Sequence, residues 1–278
     1  MTRRRLLYGG CGALACIFLI LAFTVILVPS REIEGVIIRR LAAEGYTFHS
    51  SGFGKTFPLG IAAGGVTLAD RRGVLLRLDR LRARIAIIPL LTGKGVVLFD
   101  GALGPGRIAG TAERDGATHI EARDIRLDDI PFFRTVADAQ VKGILAADAT
   151  FRGTGPRATG EIRLEVNGAD VRSVKLGGTP IPDATYDRVR GKVRIGNGRA
   201  TLDSVALQGE GIYIRLAGGF PLAAPLGASP LDLTLELMPQ PAFLNRQRVI
   251  FALMTKYLVT PGQYRLPIRG TLDKPLLP

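Results

Sequence analysis

The sequence predicts a mainly β fold: an N-terminal apolar rod followed by one antiparallel, curved sheet domain with one or two short amphipathic helices. Three observations predict it. Residues 6–28 carry no charge; from Tyr46 onward apolar residues recur mostly at every second position; and turn pairs such as Asn197-Gly198 separate the alternating stretches. The chain divides into a short N-terminus (1–5), the apolar rod (6–28), a short helix (29–45) and a β domain (46–278).

The rod reads LLYGGCGALACIFLILAFTVILV. As a helix its 23 residues would span about 35 Å, enough to cross a hydrocarbon core of about 30 Å. Leu6 and Leu7 open it, Ile17, Phe18, Leu19, Ile20 and Leu21 form its centre, and Val25, Ile26, Leu27 and Val28 close it. These residues are the predicted membrane anchor. Arg3, Arg4 and Arg5 precede it, so the positive-inside bias keeps the N-terminus in the cytoplasm and sends the remainder across. A cleaved signal peptide and a buried core helix are the rival readings. The run exceeds the usual apolar core of a signal peptide and no A-x-A-like site follows it, while an uncharged run this long is rare in a soluble core. Cys16 follows Ala13-Leu14-Ala15, a poor lipoprotein signal.

Ser30 is placed to cap a helix in which Ile33, Val36, Ile37 and Leu41 recur at helical spacing, and Gly45 suits its left-handed end. Strands follow. Val74, Leu76 and Leu78 lie on one face, and after a one-residue slip Leu81, Ala83, Ile85 and Ile87 continue it, which predicts a bulge near Asp79 and Arg80. Further alternating stretches lie at 96–99, 108–112, 119–122, 144–151, 162–166, 192–195, 200–202, 205–207, 212–216, 231–237 and 264–268. This pattern predicts an antiparallel meander.

Turn chemistry predicts register. A type I′ turn at Asn197-Gly198 sets Ile195 opposite Ala200 and Val193 opposite Leu202. A type II′ turn at Gly209-Glu210 would set Leu207 against Ile212 and Val205 against Ile214. Asn167-Gly168 reads as a third hairpin, although it would oppose Glu165 to Asp170 and Arg163 to Arg172. Residues 243–258 break the pattern. Ile250, Leu253, Met254 and Tyr257 share a helical face there, which reads either as a plug for the end of the β layer or as a docking helix.

Composition narrows function. Cys11 and Cys16 both fall in the rod, so the body of the chain has no disulfide or thiolate metal site. His49 and His119 are far apart and match no metal spacing. Gly54-Lys55-Thr56 lacks the first glycine of a phosphate loop, Gly104, Gly106 and Gly110 miss dinucleotide spacing, and Asp128 and Asp129 sit in a turn beside Pro131. No catalytic, cofactor or metal residues emerge, and the expectation is a non-enzyme. The net charge of +13 favours anionic partners. Export and the absence of tryptophan argue against nucleic acid and for anionic lipid head groups or an acidic protein. A sheet with an apolar face must cover it, and the few helices here leave an apolar groove as one solution. Its candidate lining is Leu76, Leu78, Ile85 and Ile87 from the first part of the sheet and Val193, Ile195, Leu207 and Ile212 from the second. Such a groove suits acyl chains.

Phe57-Pro58-Leu59-Gly60-Ile61, Gly65-Val66-Thr67-Leu68, residues 81–88 and Pro89-Leu90-Leu91-Thr92-Gly93-Lys94-Gly95 together resemble the type II secretion system protein N family, itself similar to AsmA-like envelope proteins. The ending Ile268-Arg269-Gly270-Thr271-Leu272-Asp273-Lys274-Pro275 resembles the closing strand and turn of AsmA-like domains. The resemblance implies a single-pass inner-membrane protein with its bulk in the periplasm, no cofactor, and other secretion components as partners. Its AsmA-like side implies a groove for phospholipid.

Overall fold

The computed structural model describes residues 29–277 apart from 44, 154–156, 177–178 and 224–225. The predicted anchor and the arginines before it lie outside the described residues. Among the described residues no helix is long and apolar enough to cross a membrane.

Helix α1 (Ser30–Ala43) ends at Gly45, whose φ of +86° terminates the helix as its position suggested. Ile37 and Leu41 turn into the protein, whereas Val36, grouped with them by spacing, faces solvent. The Ser50 hydroxyl donates to Glu34 at 2.7 Å and ties the helix to the sheet edge.

Then comes β1 (Thr47–His49), β2 (Gly52–Thr56), β3 (Gly60–Asp70) and β4 (Gly73–Ile85). A short helix α2 (Ile87–Leu91) leads to β5 (Val96–Leu103), β6 (Gly106–Glu113) and β7 (Thr118–Arg126). After a 3-10 turn at Leu127–Asp129 and α3 (Phe132–Ala137) come β8 (Gln140–Arg152) and β9 (Thr159–Arg172). A separate ribbon of β10 (Lys175–Leu176) and β11 (Thr179–Pro180) precedes β12 (Ala184–Gly196), β13 (Arg199–Gly209) and β14 (Ile212–Pro221). The last elements are β15 (Asp232–Pro239), α4 (Pro241–Arg246), α5 (Arg248–Leu253), β16 (Leu258–Thr260), β17 (Gln263–Gly270) and β18 (Pro275–Leu276). All strands but β10 and β11 form one sixteen-stranded sheet, a meander from β3 to β17 whose edges are covered in part by β1 and β2 on one side and by β16 and β18 on the other. It is antiparallel, curved and open.

Neighbouring strands rotate by about 20° each, so a dozen of them accumulate well over a half-turn. The consequence is visible at two corners. Arg72, in the β3–β4 turn, donates to the backbone carbonyl and the carboxylate of Asp273, beyond the opposite end of β17, at 2.7 and 2.8 Å. It also holds Asp70 at 2.9 Å. The sheet has coiled until diagonally opposite corners touch.

Bulges supply the bend. Gly65, at φ +52°, faces Asp79 between the paired Gly64–Arg80 and Val66–Leu78. Both strands change phase together there, so Ala63 and Val66, and Leu78 and Leu81, all turn inward. This is the slip that the alternation placed near Asp79 and Arg80. Two turns need correction. Asn167 and Gly168 do not form a hairpin: β9 runs through them, and the left-handed Gly168 makes a bulge that turns both Val166 and Ala169 inward. The turn after β13 is Glu210-Gly211, with Gly211 at φ +83°, so Leu207 pairs Ile214 and Gly209 pairs Ile212. Glycine at the second position favours this turn over the one predicted. The Asn197-Gly198 turn has the expected register, with Ile195 opposite Ala200 and Val193 opposite Leu202.

The predicted helix at 243–258 is instead α4, α5 and a 3-10 turn at Thr255–Tyr257. Breaking it re-aims the side chains: Phe243, Phe251, Met254 and Tyr257 enter the core, and Leu253 faces solvent. Phe251 stacks between Phe243 and Tyr264, with ring centroids 6.1 and 5.1 Å away.

Candidate functional site

Pairing register turns the inner face into four rows that run across the strands. The first row contains Ile85, Val97, Ala112, Thr118, Phe151, Gly160, Ile195, Ala200 and Phe220, one residue from each of nine strands. Two residues deeper, Ile61, Ala83, Phe99, Gly110, Ile120, Ala149, Ile162, Val193, Leu202, Gly218, Leu233 and Ile268 cross twelve strands. The third row, from Ala63 and Leu81 through Leu164 to Leu235 and Leu266, is also wholly apolar. The fourth row carries Val66, Leu78, Ile125, Leu145, Val166, Val189, Leu207, Ile214, Leu237 and Tyr264.

What separates the rows is what covers them. Over the fourth row, the segment containing Leu127, Ile130 and Phe133 crosses from β8 to β4, where the Thr135 hydroxyl donates to the Val74 carbonyl at 2.7 Å. On the other side α4 and α5 press Phe243, Phe251 and Met254 into the same end. Two clusters of buried side chains result, bridged by Ile130 and Leu145. Over the first row nothing comparable lies. Apart from Ala200 its side chains are half-buried, and Val97 is exposed. Phe99, Ile120, Ile162 and Val193 in the second row are half-buried as well, whereas towards the last strands Leu233 and Ile268 are buried in the larger cluster and Leu202 and Phe220 pack against it. At about 3.3 Å per residue, the uncovered rows make a trough roughly 13 Å deep along the strands. Its most apolar recess, about 150 Å³, lies among Leu59, Ile61, Ala83, Ile85 and Val97.

The residues proposed from sequence as a groove divide accordingly. Ile85, Val193 and Ile195 line the trough. Leu76 and Leu78 pack in the smaller buried cluster, and Leu207 and Ile212 in the larger, because the crossing segment and the α4–α5 plug lie over them. Ile87 leaves the strand and begins α2. Alternation marked the correct face at all the strand positions but carried no information about which end would be plugged. Phe99, Ile120, Phe151, Ile162 and Phe220 were missed for that reason, although pairing each with Val193 or Ile195 through successive turns would have found them.

The outer face is charged. Lys192 meets Glu161 at 2.9 Å, Arg188 meets Glu165 at 3.1 Å and Arg265 meets Glu236 at 3.1 Å. The Lys192 hydrogen bond, with help from Arg163 and against slight desolvation, holds the Glu161 carboxyl below its ordinary range. In the interior, burial pushes the Tyr186 phenol well above its usual range. A second concavity of about 440 Å³ lies on this outer face among Arg80, Arg82, Asp100 and Arg107. His119 approaches Asp148 at 3.6 Å on an exposed surface. Gly54 and Lys55 lie on the edge strand β2 and precede no helix, so they have no phosphate-loop geometry. Among the described residues no three His, Cys, Asp or Glu side chains converge as metal ligands. The uncovered rows are suited to holding an apolar ligand.

No protein-family model, curated protein or solved structure matches the chain.

Proposed function

We propose that this protein is a non-catalytic, membrane-tethered envelope protein whose coiled sheet shelters the acyl chains of a phospholipid or other anionic lipid. One observation carries the reading: apolar rows cross nine to twelve strands, with Thr118 the one polar side chain in the first, yet from β4 to β12 they are covered at one end only. Leaving that much apolar surface in water is unfavourable by about 25 cal/mol per Å², so an acyl chain in the trough lowers the free energy of both partners. The uncharged run at 6–28, preceded by three arginines, supports a single pass through the inner membrane with the body in the periplasm. The AsmA-like resemblance supports the same use of the sheet.

A second reading makes the body an accessory of the type II secretion apparatus. It is favoured by the position of the resembling motifs: residues 57–61 and 85–95 meet at the mouth of the trough, where the Leu59 carbonyl accepts the Ile85 amide at 2.9 Å. There the trough would receive an apolar segment of a secretion component.

The experiment that separates them is gentle extraction of the full chain followed by native mass spectrometry and photolabelling with a diazirine fatty acid. The lipid reading expects bound phospholipid and label on Phe99, Ile162 or Val193. A chain that carries no lipid and takes label only at the anchor would overturn it.

A further inference from the structure

The connections at the uncovered end carry two of the most exposed large apolar side chains among the described residues. Phe57, in the β2–β3 turn, is 93% exposed and Ile88, in α2, is 79% exposed. They are neighbours in the fold: Phe57 lies two residues before Leu59, which pairs through its carbonyl with Ile85, and Ile88 lies three residues after Ile85. Both flank the apolar recess described above. An exposed phenylalanine at a turn contributes nothing to the core, and its burial needs a partner.

The charge around them says which partner. Lys94, Arg114, Arg152 and Arg199 sit at the same end of the strands, in or beside the turns after α2, β6, β8 and β12. Among the described residues none of these four has a carboxylate in ion-pair reach, as is also true of Arg80, Arg82 and Arg107 in the outer concavity, whereas Arg163, Arg188, Arg194, Arg265 and Arg269 on the outer sheet face do. Glu113 and Asp115 are the acidic groups of this rim, and Asp115 is occupied in capping the Ala117 amide at 3.0 Å. The rim is therefore a basic ring around an apolar mouth, with an aromatic side chain projecting from it. A protein surface of this composition inserts its apolar tips at the head-group boundary while its cations remain among anionic head groups.

We propose that this rim docks on the surface of an anionic lipid bilayer, with Phe57 and Ile88 entering the interface and the trough opening onto the membrane. The proposal rests on the reading of the trough as an acyl-chain site for its purpose, but not for its geometry. It distinguishes this end from the other exposed apolar patch, formed by Val249, Leu253, Leu258 and Val259 on the outside of the plug. That patch lies over the core filled by Phe243, Phe251 and Met254.

The chain contains no tryptophan, so a single one reports on its own surroundings. Phe57→Trp is made in the full chain, held in nanodiscs of neutral phosphatidylcholine, and mixed with vesicles whose acyl chains carry bromine. With vesicles rich in phosphatidylglycerol the emission shifts to the blue and is mostly quenched; with phosphatidylcholine vesicles it is unchanged. The same probe at the plug, Val249→Trp, is not quenched by either. Adding Lys94→Glu and Arg114→Glu to the Phe57→Trp chain abolishes the response, while a urea midpoint equal to that of the parent shows that folding is intact. Absence of quenching at position 57 by anionic vesicles, equal quenching by neutral ones, or equal quenching at position 249 would each overturn the proposal. Lipid cargo is read separately by native mass spectrometry. A chain that docks but carries no lipid refutes the trough reading alone, and one that carries lipid but is not quenched refutes docking alone.

Discussion

The two ends of the same strands differ in what they bury. Val193 and Val189 lie on β12 four residues apart and point to the same face, yet Val189 packs against the larger buried cluster and Val193 belongs to neither. Leu266 on β17 is 0% exposed, beneath a plug built from two short helices, while Val97 at the far end of β5 meets solvent. Inward-facing strand residues are apolar at both ends, Thr118 excepted. The difference comes from the connections: those at the plugged end include the crossing segment with α3 and the α4–α5 pair, while those at the other end include the tight turns after β2, β6 and β12, α2, and the 222–231 connection, beside which Leu231, Leu233 and Ile268 are buried. One sheet therefore covers part of its apolar face and leaves part of it open according to which loops fold back over it.

This contrast can be broken by substitution. The largest expected effect is at the plugged end, where Leu266→Ala should cost about 2–5 kcal/mol, because a fully buried site collapses only partly around the void. Urea unfolding would show it as a lower midpoint with an unchanged slope. Next is the β12–β13 turn, where Gly198 has φ +68°. Gly198→Val forces a branched residue into the left-handed region and should cost about 1–2 kcal/mol by the same measurement. Val193→Ala, in the trough, should cost no more than about 1 kcal/mol because that side chain is already half in water. If it instead cost as much as Leu266→Ala, the trough would be a core. Ile162→Ser, also half in water, should cost about 1 kcal/mol, well short of Leu266→Ala, and lower photolabelling by a diazirine fatty acid.

The smallest effect is expected at the corner clasp. Exposed ion pairs contribute about 0.2–1 kcal/mol, so Arg72→Ala should fall in that range at neutral pH. For Asp70 partial burial alone would raise the carboxyl pKa, but hydrogen bonds from the Arg72 backbone and guanidinium outweigh it and hold the group below its ordinary range. A carboxylate depressed in the folded state stabilises above its unfolded pKa of about 3.9 and loses that contribution as pH falls through the lower folded value. Stability of the parent and of Arg72→Ala, compared across an acid titration, should therefore differ at pH 7 and converge as the pH falls through the lowered folded-state pKa of Asp70.

Local chemistry accounts for what was legible in advance. Alternation marks the inner face from Val74 to Ile268, the left-handed glycine at 45 ends the first helix, and Asn197-Gly198 sets one hairpin in register. Gly168 misled because a left-handed glycine serves a bulge as well as a turn, and only the partner strands β8 and β12, which continue past it on both sides, decide between them. The segment at 243–258 misled for a related reason. Its spacing fits one long helix, but the break between α4 and α5 lets Phe251 meet both Phe243 and Tyr264, and that aromatic cluster exists only in three dimensions.

By itself the sequence determined the β character, the meander, the apolar face and the uncharged run that precedes them, since each follows from the period of neighbouring residues and from turns of two. The tertiary structure alone decided that the sheet coils until Arg72 reaches Asp273, and that one end is plugged while the other gapes. Twist accumulated over many strands and loops folding back on distant rows are sums of long-range geometry, and a pattern that repeats every two residues contains no measure of either.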